Sequence, residues 1–340
     1  MPGRQPAQGV GLEAWRRALN GDPLPWLLEE EVPAVRQAAL QWLLDEPSDA
    51  PKVRRARAAA MRSDPIAGIL AEQHPDGYWV KPGPGYSPKY TSTVWSLMFL
   101  DQLGADGRDV RIGRACEYVL SHTQAKNGGF GLQGSPSTVV HCLNGNLLRA
   151  LIGFGRLGDE RVRAALDWQA RSITGEGFDD FHRWATSGPG FRCGINGDLP
   201  CAWGAIKALR GLARVPPRRR TAIARRAIAE GTELLLSRDP AVADYPTDSK
   251  VSANWFKLGF PSGYVADVLQ NLEALIELGH AKDPRLSNAI DLVLSKQDAR
   301  GRWRNEYPYR RKTWVDMEPR GGPSRWVTLR ACRVLRSALG

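Results

Sequence analysis

The chain has 340 residues, of which 42% are hydrophobic and 24% charged, with a formal net charge of +11. This balance suits a sizeable globular core, and no run approaches the roughly 18 consecutive apolar residues of a membrane span, so a soluble, cytoplasmic protein is expected. Five cysteines without an export signal point to free thiols or a metal site rather than a disulfide framework. The basic residues, such as Arg54, Arg55, Arg57, Arg218, Arg219 and Arg220, are scattered and form no stripe with interleaved aromatics, which argues against a specific nucleic-acid partner.

In chain order, residues 1–10 are rich in Pro, Gly and Gln and read as a disordered start. A weak helix and a more apolar one are expected over 25–44. After them two kinds of helix alternate. Segments 51–73, 109–124, 159–173, 217–236 and 283–297 are Arg-rich and amphipathic, and several open on an Asp start signal (Asp109, Asp159, Asp283). Segments 90–103, 138–154, 201–213, 264–278 and 326–339 follow Gly, Pro and Ser-rich connections and are apolar over more of their circumference, which marks buried helices. Pairing outer with inner segments, and adding 25–44, gives six hairpins read as one closed domain over 11–340.

A rare pattern punctuates this alternation at three places: Gln73, Gly77 and Trp79; Gln124, Gly128 and Phe130; Gln297, Gly301 and Trp303. Each follows an amphipathic run, so glutamine ends a helix, glycine turns the chain and the aromatic anchors the turn. Repetition of this kind means stacked supersecondary units that share a core. Degenerate versions are read at 169–178 and 237–245.

The all-α pattern of six outer-inner hairpins with such turns resembles the α/α-toroid superfamily, an (α/α)6 ring, of squalene and oxidosqualene cyclases and protein prenyltransferase β subunits. Asp22 to Trp26, Lys89 to Trp95, Cys142 to Leu151 and Pro323 to Arg330 look like bacterial single-domain squalene-cyclase-like proteins of unassigned activity. The resemblance implies an enzyme of terpenoid cyclase or prenyltransferase type, acting on an apolar, isoprenoid-like substrate in a central aromatic-lined cavity. The alternative is a non-catalytic toroid that binds a lipid, peptide or partner protein, and peripheral membrane contact is compatible with either.

In that superfamily the inner-helix starts carry the chemistry. The cyclase acid motif Asp-x-Asp-Asp is missing. Its nearest relic, Glu176 to Asp180, reads as a turn, and Asp267 at an inner-helix start is either a cap or a catalytic acid. The prenyltransferase zinc pattern is approached more nearly, by Asp198 and Cys201 at one inner start and His141 with Cys142 at another, while Cys193 lies just upstream of Cys201. Thiolate and imidazole ligands suit zinc, so Cys142, Cys193, Cys201, His141, Asp198 and His182 form a candidate metal set, with His141 also a candidate catalytic group. Plain helix packing by small cysteines is the competing reading. Arg192, Arg149 and Lys207 are candidate cations for an anionic substrate group. Tyr90, Trp95, Trp203, Trp255, Tyr264 and Trp326 either line a cavity by cation–π attraction or fill the core.

Overall fold

A computed structural model describes residues 11–179, 187–318 and 322–340. The expected disorder of residues 1–10 lies outside them. The helices in chain order are α1 (Gly11–Arg17), α2 (Leu24–Leu27), α3 (Pro33–Leu43), α4 (Pro51–Ala60), α5 (Ile66–Ala71), α6 (Thr93–Gln102), α7 (Val110–His122), α8 (His141–Gly153), α9 (Glu160–Thr174), α10 (Ala202–Ala213), α11 (Ala222–Leu236), α12 (Val268–Glu277), α13 (Ser287–Ser295) and α14 (Arg325–Leu339). A short antiparallel pair, β1 (Ser187–Gly188) and β2 (Arg192–Cys193), precedes α10. The fold is all-α apart from this pair.

Two layers follow from burial. In α6 every residue from Thr93 to Leu100 is buried, and α10, α12 and α14 each bury a similar unbroken run, whereas α7, α9 and α11 bury one face. The inner helices pack in sequence, α6 on α8, α8 on α10, α10 on α12 and α12 on α14. The last inner helix, α14, then packs on the first, α3. Between α3 and α6 the Gln37 amide donates to the Gly104 carbonyl at 3.2 Å. The ring is closed. Its tightest crossing is α8 on α10, where a Cβ at Gly145 would lie 2.4 Å from the Lys207 carbonyl and one at Gly211 would lie 2.6 Å from the Gly145 carbonyl.

The Gln-Gly-aromatic turns hold neighbouring units together. Gln73 Nε2 donates within its own turn to the Gly77 carbonyl (3.3 Å) and across to the Arg111 carbonyl in α7 (3.0 Å). Gln124 repeats this with Gly128 (2.7 Å) and with Arg161 in α9 (2.6 Å). Gln297 reaches the other end of the chain, donating to the Ala18 carbonyl (3.2 Å) and accepting from the Asn20 amide (2.8 Å). The turn glycines adopt positive φ of 99°, 93° and 69° and pass so close to the next unit that a Cβ would meet backbone at 2.6, 3.0 and 2.2 Å. Both constraints demand glycine. The aromatic Nε1 of Trp79 and of Trp303 donates ten residues back, to Ile69 and Val293, each at 2.7 Å. Tyr245 does the same with its hydroxyl, to Leu235 at 2.6 Å, so the degenerate turn at 237–245 keeps the anchor with different chemistry.

The helix limits depart from the sequence pattern where capping intervenes. The expected helix over 51–73 is two helices interrupted before Pro65, and the inner helices start three or four residues late at 93, 141 and 268. Asp267 shows why: its carboxylate accepts from the Gln270 amide at 2.8 Å, which fixes the helix start there.

Candidate functional site

The repeat breaks down between α9 and α10. Helix α9 ends on Gly175 in the left-handed region, and the described chain resumes at Ser187 in a hairpin instead of a turn. Within it Ser187 pairs with Cys193 and Gly188 with Arg192. The chain then folds back so that Arg192 bridges Pro200, Cys193 N–H donates to Leu199 (3.1 Å) and Cys201 N–H donates to Phe191 (2.9 Å). This register sets Cys193 and Cys201 diagonally on one face. Cys201 is also the N-cap of α10, its Sγ accepting from the Gly204 amide at 3.4 Å.

Electrostatics separates the two thiols. The Cys201 thiol beside it and the amides of Ile195 and Asn196 draw the Cys193 thiol down to about 6, against desolvation and the Asp198 charge. Successive amides pointing at one atom form an anion-stabilising nest. Cys201, facing that charge and buried, is pushed well above its ordinary value. Cys142, the second residue of α8, is held at about 12 by burial and by the charge of Cys193. The three thiols are thus shifted in different directions, Cys193 down and Cys201 and Cys142 up.

Cys193 and Cys201 line a cavity of about 240 Å³ together with Trp203, Tyr245, Val251 and Trp255. Asn196 Nδ2 ties the hairpin to the opposite wall by donating to the Pro200 and Pro246 carbonyls, each at 3.1 Å. Ile195 and Val251, on the same cavity, stand 75% and 41% exposed. The cavity thus combines apolar groups at its mouth, aromatic walls and two cysteines.

His141 sits nearby but is occupied. Its Nδ1 accepts from the Gln169 amide at 2.7 Å, its Nε2 donates to the Gly188 carbonyl at 3.2 Å, and its own backbone N–H donates to Ser187 Oγ at 2.9 Å. Burial lowers its pKa to about 4. Both ring nitrogens of a neutral imidazole are thus used to hold the hairpin against α8 and α9. Gln169, read from sequence as a degenerate turn glutamine, is instead fully buried within α9 and fixes this ring. Among the described residues no three His, Cys, Asp or Glu side chains come together as a metal-ligand group. Of the candidate donors among the described residues, Cys193 and Cys201 share a cavity, while His141 spends both ring nitrogens on Gln169 and Gly188. Asp198 adopts φ +63° in the hairpin turn, and Arg192 Nε donates to its carbonyl at 3.2 Å. His182 and Asp180 lie outside the described residues.

The other candidate residues fall elsewhere. Tyr90, Trp95 and Tyr264 do come together, with Tyr86, Phe99 and Tyr309, in a packed aromatic cluster of ring separations 4.7 to 6.3 Å. It fills space at the starts of α6 and α12. Trp326 stacks on Phe260 at 4.7 Å and 12°. Asp267 accepts three hydrogen bonds, from the Gln270 amide, from Gln270 Nε2 (2.9 Å) and from the Gly259 amide (3.1 Å). Burial pushes its carboxyl up while Arg330 and Lys207 oppose the shift.

The interior of the ring holds charge. One face of α12 presents Asp267, Gln270, Glu273 and Glu277, met by Lys207 and Arg210 of α10, Arg330 and Arg333 of α14, and Arg149 of α8. Arg330 grips Glu273 at 2.8 and 2.7 Å, Arg149 grips Glu277 at 2.7 and 2.9 Å, Arg210 lies 3.2 Å from Glu273, and Arg333 lies 3.0 Å from Glu277. Glu273 is held down to about 2 by these guanidiniums. Lys207, which bonds Gln270, is lowered to about 7 by burial and by Arg210. Where the helix C-termini diverge, this ladder opens into a funnel of about 860 Å³ lined by Asp101, Arg149, Arg214, Glu277, Arg333 and Trp42. Sequence reading missed the ladder, although the spacing of Lys207 with Arg210, Gln270 with Glu273, and Arg330 with Arg333 on otherwise apolar helices signals it.

No protein-family model and no curated protein matches the chain. Among solved structures it is similar to a protein from Actinoplanes (14% identity, 83% of this chain and 99% of that one, TM-score 0.33). It is similar also to the type II terpene cyclase MstE from Scytonema without ligand (12% identity, 80% and 96%, TM-score 0.31). A variant of that cyclase in complex with geranylgeranyl dihydroxybenzoate gives 13% identity, 81% and 95% coverage and a TM-score of 0.32. The ring assignment made above rests on the chain's own helix packing and closure.

Proposed function

We propose that this toroid is an enzyme for an apolar, isoprenoid-like substrate, whose chain end enters the cavity between Trp203, Tyr245 and Trp255 and meets the Cys193 thiolate. The observation that carries the reading is the convergence of aromatic walls, an apolar mouth and one depressed thiol in a single cavity. At about 240 Å³ it is smaller than the roughly 300–1,000 Å³ of sites that enclose a whole drug-sized ligand, so it suits the end of a chain with the remainder along Ile195 and Val251. Cyclisation by protonation is not supported by Asp267, whose carboxylate already accepts three hydrogen bonds as a helix cap. A non-catalytic binder is the second reading, favoured by the charge ladder that occupies the ring interior.

Titration with farnesol, followed by tryptophan fluorescence, tests the site. Trp203→Ala is expected to weaken binding at least about tenfold, the effect of losing roughly 1.4 kcal/mol of aromatic contact, while Trp42→Phe in the funnel leaves it unchanged. Equal effects of the two substitutions would remove the cavity from the account. An enzyme loses turnover in Cys193→Ser with farnesol affinity intact, and a binder has no turnover to lose.

A further inference from the structure

The reading above uses Cys193 alone and leaves Cys201 unexplained. Both thiols lie on one face of the 191–201 hairpin, both open on the same cavity, and they are the two thiols that do so among the described residues. Cys116 and Cys332 are buried in the core. Cys193 sits in a loop with the amides of Ile195 and Asn196 turned toward its sulfur, while Cys201 is fixed at a helix start by the Gly204 amide. A half-buried loop sulfur with two amides turned toward it, diagonal across the hairpin from a second sulfur fixed at a helix start, is the arrangement in which one thiol attacks and the other resolves.

We infer that Cys193 and Cys201 form an exchange-active dithiol, with Cys193 the attacking sulfur and Cys201 the resolving one, acting on small disulfides that enter the Trp203–Trp255 cavity. In the first step the Cys193 thiolate forms a bond to one sulfur of R–S–S–R, the S–S bond breaks, and R–S⁻ leaves and takes a proton from water. In the second, Cys201 attacks Cys193 Sγ, the mixed disulfide breaks, and the second R–S⁻ leaves with the Cys201 proton. The dithiol loses two electrons and two protons, one given to water when Cys193 ionises and one from Cys201, and the small disulfide is reduced to two thiols. The product closes the hairpin covalently across the strands that already pair at Arg192 and Pro200.

The full chain, reduced and then exposed to glutathione disulfide at graded thiol-to-disulfide ratios, provides the test by mass spectrometry. Trypsin cuts after Arg192 and Lys207, so one peptide carries both cysteines. The expected wild-type product is that peptide two hydrogens lighter and resistant to alkylation, with Cys116, Cys142 and Cys332 still reduced. Cys201→Ser is expected to stop at one glutathionyl group on Cys193, and Cys193→Ser to slow the exchange at Cys201 at least about tenfold, as its thiolate fraction requires. Circular dichroism of each variant separates exchange from misfolding, and reduction by dithiothreitol should return the starting mass. An unmodified 193–207 peptide at every ratio, or a mixed disulfide persisting in the wild type, would overturn the inference. It is independent of the isoprenoid reading, since no isoprenoid is added.

Discussion

The turns at 73–79, 124–130 and 297–303 and the segment at 175–201 occupy equivalent places in the ring, between an outer helix and the next inner one, yet they do opposite work. In the three turns one glutamine and one glycine staple a unit to its neighbour, and nothing reactive is left over. Residues 175–201 contain no glutamine to make such a staple. A longer hairpin takes its place, held by His141, Gln169 and Asn196 rather than by a turn glutamine. Freed from closing the wall, that segment brings two thiols to a cavity.

The largest disturbance is expected from neither region but from the ladder inside both. Glu273→Ala leaves Arg330 and Arg210 buried without their carboxylate, and breaking a buried pair in this way costs about 3–5 kcal/mol. Urea denaturation would read this as a lower midpoint, and an unchanged midpoint would deny the ladder its part in stability.

His141 sharpens the comparison through pH. Its folded pKa of about 4 lies below the ordinary 6.5, so the unfolded chain binds the proton first. The stabilisation is complete above pH 6.5 and is lost as pH falls from 6.5 toward 4, on the order of 3 kcal/mol in all. The groups facing the ring are Gln169, the Gly188 carbonyl, Trp168 and Phe191, with Cys142 next along α8. His141→Gln should flatten this part of the stability profile. The same slope in both proteins would assign it to other groups.

Smaller effects distinguish wall from hairpin. Gln124→Ala removes two bonds that join units and should destabilise by roughly 1–3 kcal/mol, without changing alkylation of Cys193. Asn196→Ala should destabilise by only about 1 kcal/mol but loosen the cavity, seen as faster hydrogen exchange in 193–201. Should Gln124→Ala alter Cys193 and Asn196→Ala not, the division of labour argued here is reversed.

The wall was legible because its period is written in residue types that have no substitute: glycine at positive φ against neighbouring backbone, and a glutamine with two carbonyls to reach. The Tyr245 anchor was legible as a degenerate turn, because a phenol can replace an indole N–H. The cysteines at 193 and 201 stood out as a cluster, but spacing alone could not tell ligands from packing residues. Their shared cavity depends on the fold of the hairpin, and His141 spends both ring nitrogens elsewhere. Tyr90, Trp95 and Tyr264 at the inner-helix starts pack together, a contact that no spacing along the chain encodes. The interior ladder stayed hidden because four helices had to be set side by side before their charges could be matched.

The most direct test of the site is the alkylation rate of Cys193 across pH, mapped by peptide mass with and without farnesol. Cys201, Cys142 and Asp198 are the titratable groups that bear on it. The account predicts half-maximal reactivity near pH 6, modification of Cys193 ahead of Cys116, Cys142 and Cys332, and protection by farnesol. Reactivity that rises only near the ordinary thiol value of 9.0, with no protection by farnesol, would contradict it.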